Sequence, residues 1–235
     1  MASRMRRFYK QASVAEDERR SAVLLDGRQV RTPGGGALAL PTPALAAAIA
    51  EEWEAQGENL DPRSMLLTQL ASTALDRILP DPSPVAVELS RFAETDLLCY
   101  RAELPVELAT RQAEGWQPLL EWFETRYDAR FVVTRGVMPV AQPRESVERV
   151  AAALRAFDGW SLAALGIAIP AAGSAVLGLA MAESRIDAAS AFELSQQDES
   201  YQLALWGEDP DAARRRTALR RDLDAAGRFL ELCRA

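Results

Sequence analysis

The stretch AVLLDGRQVRTPGGGALALPTP, residues 22–43, decides the architecture, because it holds the last signals for strands and the first for helices. Residues 22–25 and 29–32 are joined through Asp26-Gly27-Arg28. An Asp-Gly pair between such segments is the strongest short-range hairpin signal, since both turn positions need φ > 0. Pro33-Gly34-Gly35-Gly36 then turns the chain into residues 37–40, and residues 8–14 alternate as a further short strand. The glycine triplet lacks the G-x-G-x-x-G order, precedes a strand and has no nearby lysine, so it reads as a turn and not as a phosphate cradle. At Thr42-Pro43 the punctuation changes. The threonine oxygen caps free N–H groups and the proline at the first helical position has none to cap; the device recurs at Asp61-Pro62, Ser83-Pro84 and Asp209-Pro210.

Working outward, Leu45, Ile49 and Trp53 form the inward stripe of a first helix that stops near Gly57. Leu67, Leu70, Ala74 and Ile78 mark a second helix, and Val85, Leu89, Phe92 and Cys99 a third. A long helix over 106–127 carries Trp116, Leu120, Phe123 and Tyr127, with a bend at Pro118. Residues 131–133 read as an isolated strand, followed by helices over 143–157, 187–206 and 210–233. Between these, residues 159–182 carry no charge and are long enough to span a bilayer. They are rich in Ala and Gly, however, and Pro170 with Gly173 divides them, which predicts two short buried helices over 161–169 and 174–182 and no stable membrane insertion. Gly173, Ser174 and Gly178 offer small surfaces for close packing. The expected fold is α+β, with a small N-terminal antiparallel β domain over 1–41 and a larger all-helical domain over 42–235.

Composition narrows the function. The chain has 235 residues, 49% of them hydrophobic and 26% charged, as in ordinary globular proteins. A net charge of −7 argues against a nucleic-acid partner. The absence of histidine excludes Ser-His-Asp and Cys-His mechanisms and histidine-based zinc sites. Lys10 is the only lysine, so no P-loop and no S-x-x-K pair can be written. Cys99 and Cys233 have no metal-ligand or redox spacing and read as small buried hydrophobes. The N-terminus carries Arg4, Arg6, Arg7 and Lys10 but no apolar run follows, which is not the pattern of a signal peptide, and a soluble intracellular protein is expected. No motif calls for a metal, a cofactor or a catalytic residue.

Two carboxylates fall on apolar stripes. Asp96 follows Leu89 and Phe92, and Asp198 lies between Leu194 and Tyr201. A buried carboxylate needs a partner, and among so many arginines the expected partner of Asp96 is one of them. Residues 196–202 place a dense polar patch in mid-helix, with Phe192 and Trp206 bracketing Glu199 on its own face. Such a patch reads as a recognition surface in which carboxylate and amide groups specify a partner and aromatics supply contact area.

These residues also carry a resemblance. Residues 25–33 (LDGRQVRTP), 40–42, Glu51-Glu52-Trp53-Glu54-Ala55-Gln56-Gly57, residues 96–103 (DLLCYRAE), Tyr201-Gln202 and Trp206-Gly207 are similar to the assembly chaperones for the α subunit of the ATP synthase catalytic sector, the ATP-twelve family. The resemblance runs over almost the whole chain with its motifs in order. It implies a small β domain and a larger helical one, no enzymatic activity, and a partner, the free α subunit, that is held until it joins β. Family members in eukaryotes act in the mitochondrial matrix; with no presequence read here, the resemblance implies the bacterial cytoplasm as the location. The family's acidic position falls on Asp198-Glu199-Ser200, and either carboxylate answers to it. Glu199, Asp198, Tyr201, Gln202 and Trp206 are therefore the candidate partner-binding residues, with Trp53 and Asp96 assigned to the fold. The alternative is a carboxylate-based hydrolase using Asp198 or Asp96, which two converging carboxylates in one pocket would favour; a membrane-associated role through the uncharged run is a third reading.

Overall fold

Asp26 and Gly27 take φ of 47° and 79°, the left-handed pair that a two-residue hairpin turn requires. The computed structural model describes residues 5–16, 20–136, 138–207 and 209–235, so Arg4 of the basic N-terminal run lies outside it. The turn sits in a four-stranded antiparallel sheet of β1 (Ala12–Glu16), β2 (Ser21–Leu25), β3 (Arg28–Gln29) and β4 (Ala39–Leu40). Strand β1 pairs with one edge of β2, Ala12 opposite Leu25, while β3 and β4 share its other edge. Val23 and Leu25 alternate inward with period 2 and are buried, as are Leu38 and Leu40. The strand expected over 8–14 starts later, at Ala12, because the backbone before it is engaged elsewhere. The Tyr9 and Lys10 carbonyls accept from the Arg7 guanidinium (3.2 and 2.9 Å), and the Lys10 and Gln11 N–H groups donate to the Asp26 carboxylate at about 3 Å.

The glycine turn is fastened by a single carboxylate. Asp76 accepts from Thr32 Oγ1 at 2.6 Å and from the Gly34 N–H at 2.8 Å. A Cβ at Gly34 would stand 2.7 Å from the Asp76 carboxyl carbon, whereas at Gly36 it would meet nothing closer than 3.6 Å. Gly34→Ala is expected to cost about 1–3 kcal/mol and Gly36→Ala close to nothing. Thermal melts check this, and equal effects at the two positions would contradict it.

Helix α1 (Pro43–Glu54) starts as the sequence predicts: Thr42 Oγ1 accepts from the Leu45 N–H and itself donates to the Leu232 carbonyl. At Asp61-Pro62 the device begins only a 3-10 turn, and helix α2 (Leu66–Thr73) follows without a side-chain cap of its own. Glu52 of α1 supplies the missing acceptor, taking the Leu67 and Thr68 N–H groups at 2.8 Å each. The rest of the Glu51–Gln56 segment is also structural in its contacts. The Trp53 ring meets Tyr9 edge-on at 5.7 Å, Glu54 pairs with Arg7 and accepts the Ala12 N–H, and Gln56 donates to Ser64 Oγ and accepts the Asp61 N–H. Trp53 is half-buried, not fully enclosed like Leu45 and Ile49.

The chain forms two compact units, the first comprising residues 1–82, 159–164 and 228–235, and the second residues 83–158 and 165–227. They are cut elsewhere than at the change from strand to helix after Leu40. Beyond α2 come α3 (Ser83–Ser90), β5 (Tyr100–Arg101), α4 (Val106–Tyr127), β6 (Thr134–Arg135), α5 (Arg144–Ala156), α6 (Gly159–Ala172), α7 (Ala175–Ala182), α8 (Ala188–Ser195), α9 (Gln197–Trp206) and α10 (Pro210–Leu232). The protein is α+β, a small antiparallel sheet followed by helices. Three expectations need correction. Phe131, Val132 and Val133 are irregular, because both backbone groups of Val132 bond the Gln142 side chain; the strand there is β6, paired parallel to β5. The third helix ends at Ser90, so Phe92 lies in a 3-10 turn and Cys99 in another. The helix expected over 187–206 is two, broken at Gln196, whose φ of −113° and ψ of 23° leave the helical range.

The uncharged run forms two helices as predicted, but α6 continues through Pro170 to Ala172; the division falls at Gly173, at φ +63°, and Ser174, whose Oγ caps α7 at the Leu177 N–H. Gly178 permits the close approach, since a Cβ there would stand 2.3 Å from Ile169 Cγ1. Among the described residues no helix is long and apolar enough to cross a membrane.

Asp96 is fully buried, but its partner is not an arginine. It caps the 3-10 turn Leu97–Cys99 through the Leu98 N–H (3.1 Å) and reaches across to the start of α7, accepting from Ser174 Oγ (2.7 Å) and the Val176 N–H (3.0 Å). Helix-terminal N–H groups supply partial positive charge without a second ion to desolvate, which is why no guanidinium is needed. Burial outweighs these bonds and raises its pKa from 3.8 to about 6. A carboxyl raised in the native state stabilises fully below its unfolded value, and that contribution is lost as pH rises through about 6. The Asp96 carboxyl carbon resonance is expected to titrate with a midpoint near 6; a midpoint at or below the ordinary carboxylate value would contradict this.

Candidate partner-binding surface

Helix α9 begins where the chain re-enters helical geometry after Gln196 and ends at Gly207, whose φ of 82° stops it. Asp198 and Glu199 stand in its first turn, where the helix dipole favours negative charge. None of its residues is buried. Trp206 is 78% exposed and Leu205 58%. A large indole so exposed is an unusual use of an apolar side chain and points to contact with another molecule.

The spacing 199, 202, 206 follows one face of the helix, and these three side chains do line one groove of about 510 Å³, together with Leu203, Arg215 and Leu219. Glu199 and Asp209 place carboxylates along it and Arg215 and Arg216 guanidiniums, around an apolar strip of Leu203, Trp206 and Leu219. It can receive an apolar side chain flanked by groups of either charge. A second cavity of about 750 Å³ is lined by Arg111, Gly115, Arg185, Phe192, Gln197 and Arg216, among others.

The other two candidate residues are placed differently. Asp198 is half-buried and accepts a hydrogen bond from the Gln112 side chain, and Tyr201 lies under the Arg111 guanidinium at 5.9 Å. Neither lines either groove. Phe192 does not share the face of Glu199, because the break at Gln196 separates them; it is buried, with the Arg216 and Arg220 guanidiniums 5.2 and 5.1 Å from its ring. Asp96 is a clasp in the fold, and neither Asp96 nor Asp198 lines either of these cavities.

Sequence reading missed Arg215, Arg216 and the support under α9. That support is α4: Gln112 donates to the Asp198 carboxylate and a Cβ at Gly115 would stand 2.6 Å from Gln197 Nε2, while the fully buried Trp116 holds the preceding α8, donating from Nε1 to the Leu194 carbonyl at 2.9 Å. Two signals were available. Gln112 is a polar residue on the stripe of Leu108, Trp116 and Phe123, and Gly115 interrupts a helical pattern, which marks close approach.

The fold coincides with that of a known class of protein. The family model described as ATP12 chaperone protein matches residues 6–124. The crystal structure of Atp12 from Paracoccus denitrificans is 41% identical, with a TM-score of 0.90 over 97% of this chain and 98% of that one. A point mutant of the same Paracoccus protein, an aspartate replaced by lysine, matches at 40% identity, with the same TM-score and coverage. The mitochondrial protein atp12 of Schizosaccharomyces pombe is 27% identical over 219 residues, 88% of this chain and 75% of that protein. The chain belongs to the ATP12 chaperone family.

Proposed function

We propose that this chain is an ATP synthase assembly chaperone that binds the free α subunit of the catalytic sector and keeps it from aggregating until it joins the β subunit. The observation that carries the reading is the outward face of α9, where Glu199, Gln202 and a 78% exposed Trp206 line one groove, in a chain of this family. A subunit waiting for its neighbours exposes the apolar surface they later cover, and such patches drive aggregation. Covering the patch requires contact and no chemistry, so the protein works by binding, without a cofactor. Release follows from competition: the β subunit must bury more of the same surface than the chaperone does. The work takes place in the bacterial cytoplasm.

The test is size-exclusion chromatography of the purified chain mixed with isolated α or isolated β subunit. A complex with α that β dissolves supports the proposal. Elution of chaperone and α as separate species, or equal binding to β alone, would overturn it.

A further inference from the structure

Gln112 is wholly buried on α4. Its Oε1 accepts the Ala102 N–H at 2.7 Å, which fixes the carboxamide, since the opposite flip would set an NH2 against a backbone N–H. The NH2 is thereby turned to Asp198 and donates to its carboxylate. The Gln112 carbonyl in turn accepts from Nη1 of the buried Arg101 at 2.6 Å, and Arg101 Nε donates to the Leu98 carbonyl at 3.0 Å. A continuous polar chain therefore runs from Leu98 and β5 through the body of α4 to the first turn of α9. Because α9 buries no residue of its own, apolar packing holds it weakly. Its other side-chain ties are peripheral: Arg216 Nη1 to Ser200 Oγ at 3.2 Å, an exposed contact, and Arg111 over the Tyr201 ring. The bond from Gln112 is the charge-assisted one, and it is the one at the buried end.

We propose that Gln112 is the positioning residue of the partner-binding surface: through Asp198 it sets the pose of α9 in which Glu199, Gln202 and Trp206 line one groove. On this view the two neighbouring acids divide the work, Asp198 anchoring the helix and Glu199 meeting the partner. The proposal rests on the function above only for the partner's identity.

A charge swap tests it. Gln112→Glu sets a second carboxylate against Asp198, while Gln112→Glu with Asp198→Asn restores every bond in mirrored form: the new Glu accepts from both Ala102 N–H and the new Asn amide. Hydrogen exchange of the purified chain is expected to quicken at least about tenfold in residues 200–206 of Gln112→Glu and to stay unchanged in α7. Capture of isolated α subunit should weaken by about the same factor. The double variant should return both readings to within about threefold of wild type. Unchanged exchange in α9, faster exchange throughout the chain, intact capture of α despite a loosened α9, or a double variant as impaired as the single one would each overturn the proposal. If wild type itself does not capture α, the assignment of the partner falls, and the exchange comparison still decides whether Gln112 holds α9.

Discussion

Trp206→Ala is expected to weaken capture of the α subunit at least thirtyfold and to leave the melting temperature where it was. The indole is 78% exposed, so the free protein gains little from it. In a complex its burial would remove on the order of 150 Å² of apolar surface, about 4 kcal/mol at 25 cal/mol per Å², part of which offsets the ordering of the contact. A loss of about 2 kcal/mol or more is usual for a tryptophan at the centre of an interface, which is roughly thirtyfold in affinity. Glu199→Lys should act in the same direction for a different reason, replacing attraction with repulsion inside a partly desolvated contact, at about 2 kcal/mol or more. Titration calorimetry against isolated α subunit reads both, with circular dichroism melts as the control. A Trp206→Ala protein that melts several degrees lower would show that the indole serves the fold.

The largest loss of stability is expected at Trp116. Its side chain is fully buried, its Nε1 bonds the Leu194 carbonyl, and the Arg101 guanidinium lies 5.2 Å from its ring. Trp116→Ala leaves a cavity, an unpartnered carbonyl and a buried cation without its aromatic face, which together are worth about 3–5 kcal/mol. Trp53→Ala should cost clearly less, because Trp53 is only half-buried and its Nε1 has no hydrogen-bond partner among the described residues. Urea denaturation of the two variants tests the ranking, and equal or reversed midpoint shifts would contradict it.

What could be read in the sequence is what local chemistry decides. Asp26-Gly27 needs only its own φ angles, and Thr42 caps a helix three residues on, whereas Ser174, read as a small packing surface, turns out to cap α7. The split of the uncharged run at Gly173 was legible for the same reason. Of the face read through Phe192, Glu199 and Trp206, the helical period places Glu199 and Trp206 together on α9, while Phe192 falls on α8; Gln202 entered through the polar patch and the resemblance. Long-range partners were not legible. Asp96 finds its donors about eighty residues away at the start of α7, and Asp198 finds Gln112 at a similar separation. An apolar stripe says that such a group is buried and is silent on what meets it, so an arginine was expected where backbone N–H groups stand. The break at Gln196 is likewise set by contacts that fix α8 and α9 separately on α4, through Trp116 to Leu194 and Gln112 to Asp198. Helical periodicity alone ran the two together.

The claim that α9 shields the free α subunit is tested most directly by light scattering as denatured α subunit is diluted into buffer with an equimolar amount of the chain. Wild type is expected to suppress the scattering of α and to leave that of β unchanged, and Glu199→Lys to lose the effect on α although that variant remains folded. Scattering of α that rises equally with and without the wild-type chain would contradict it.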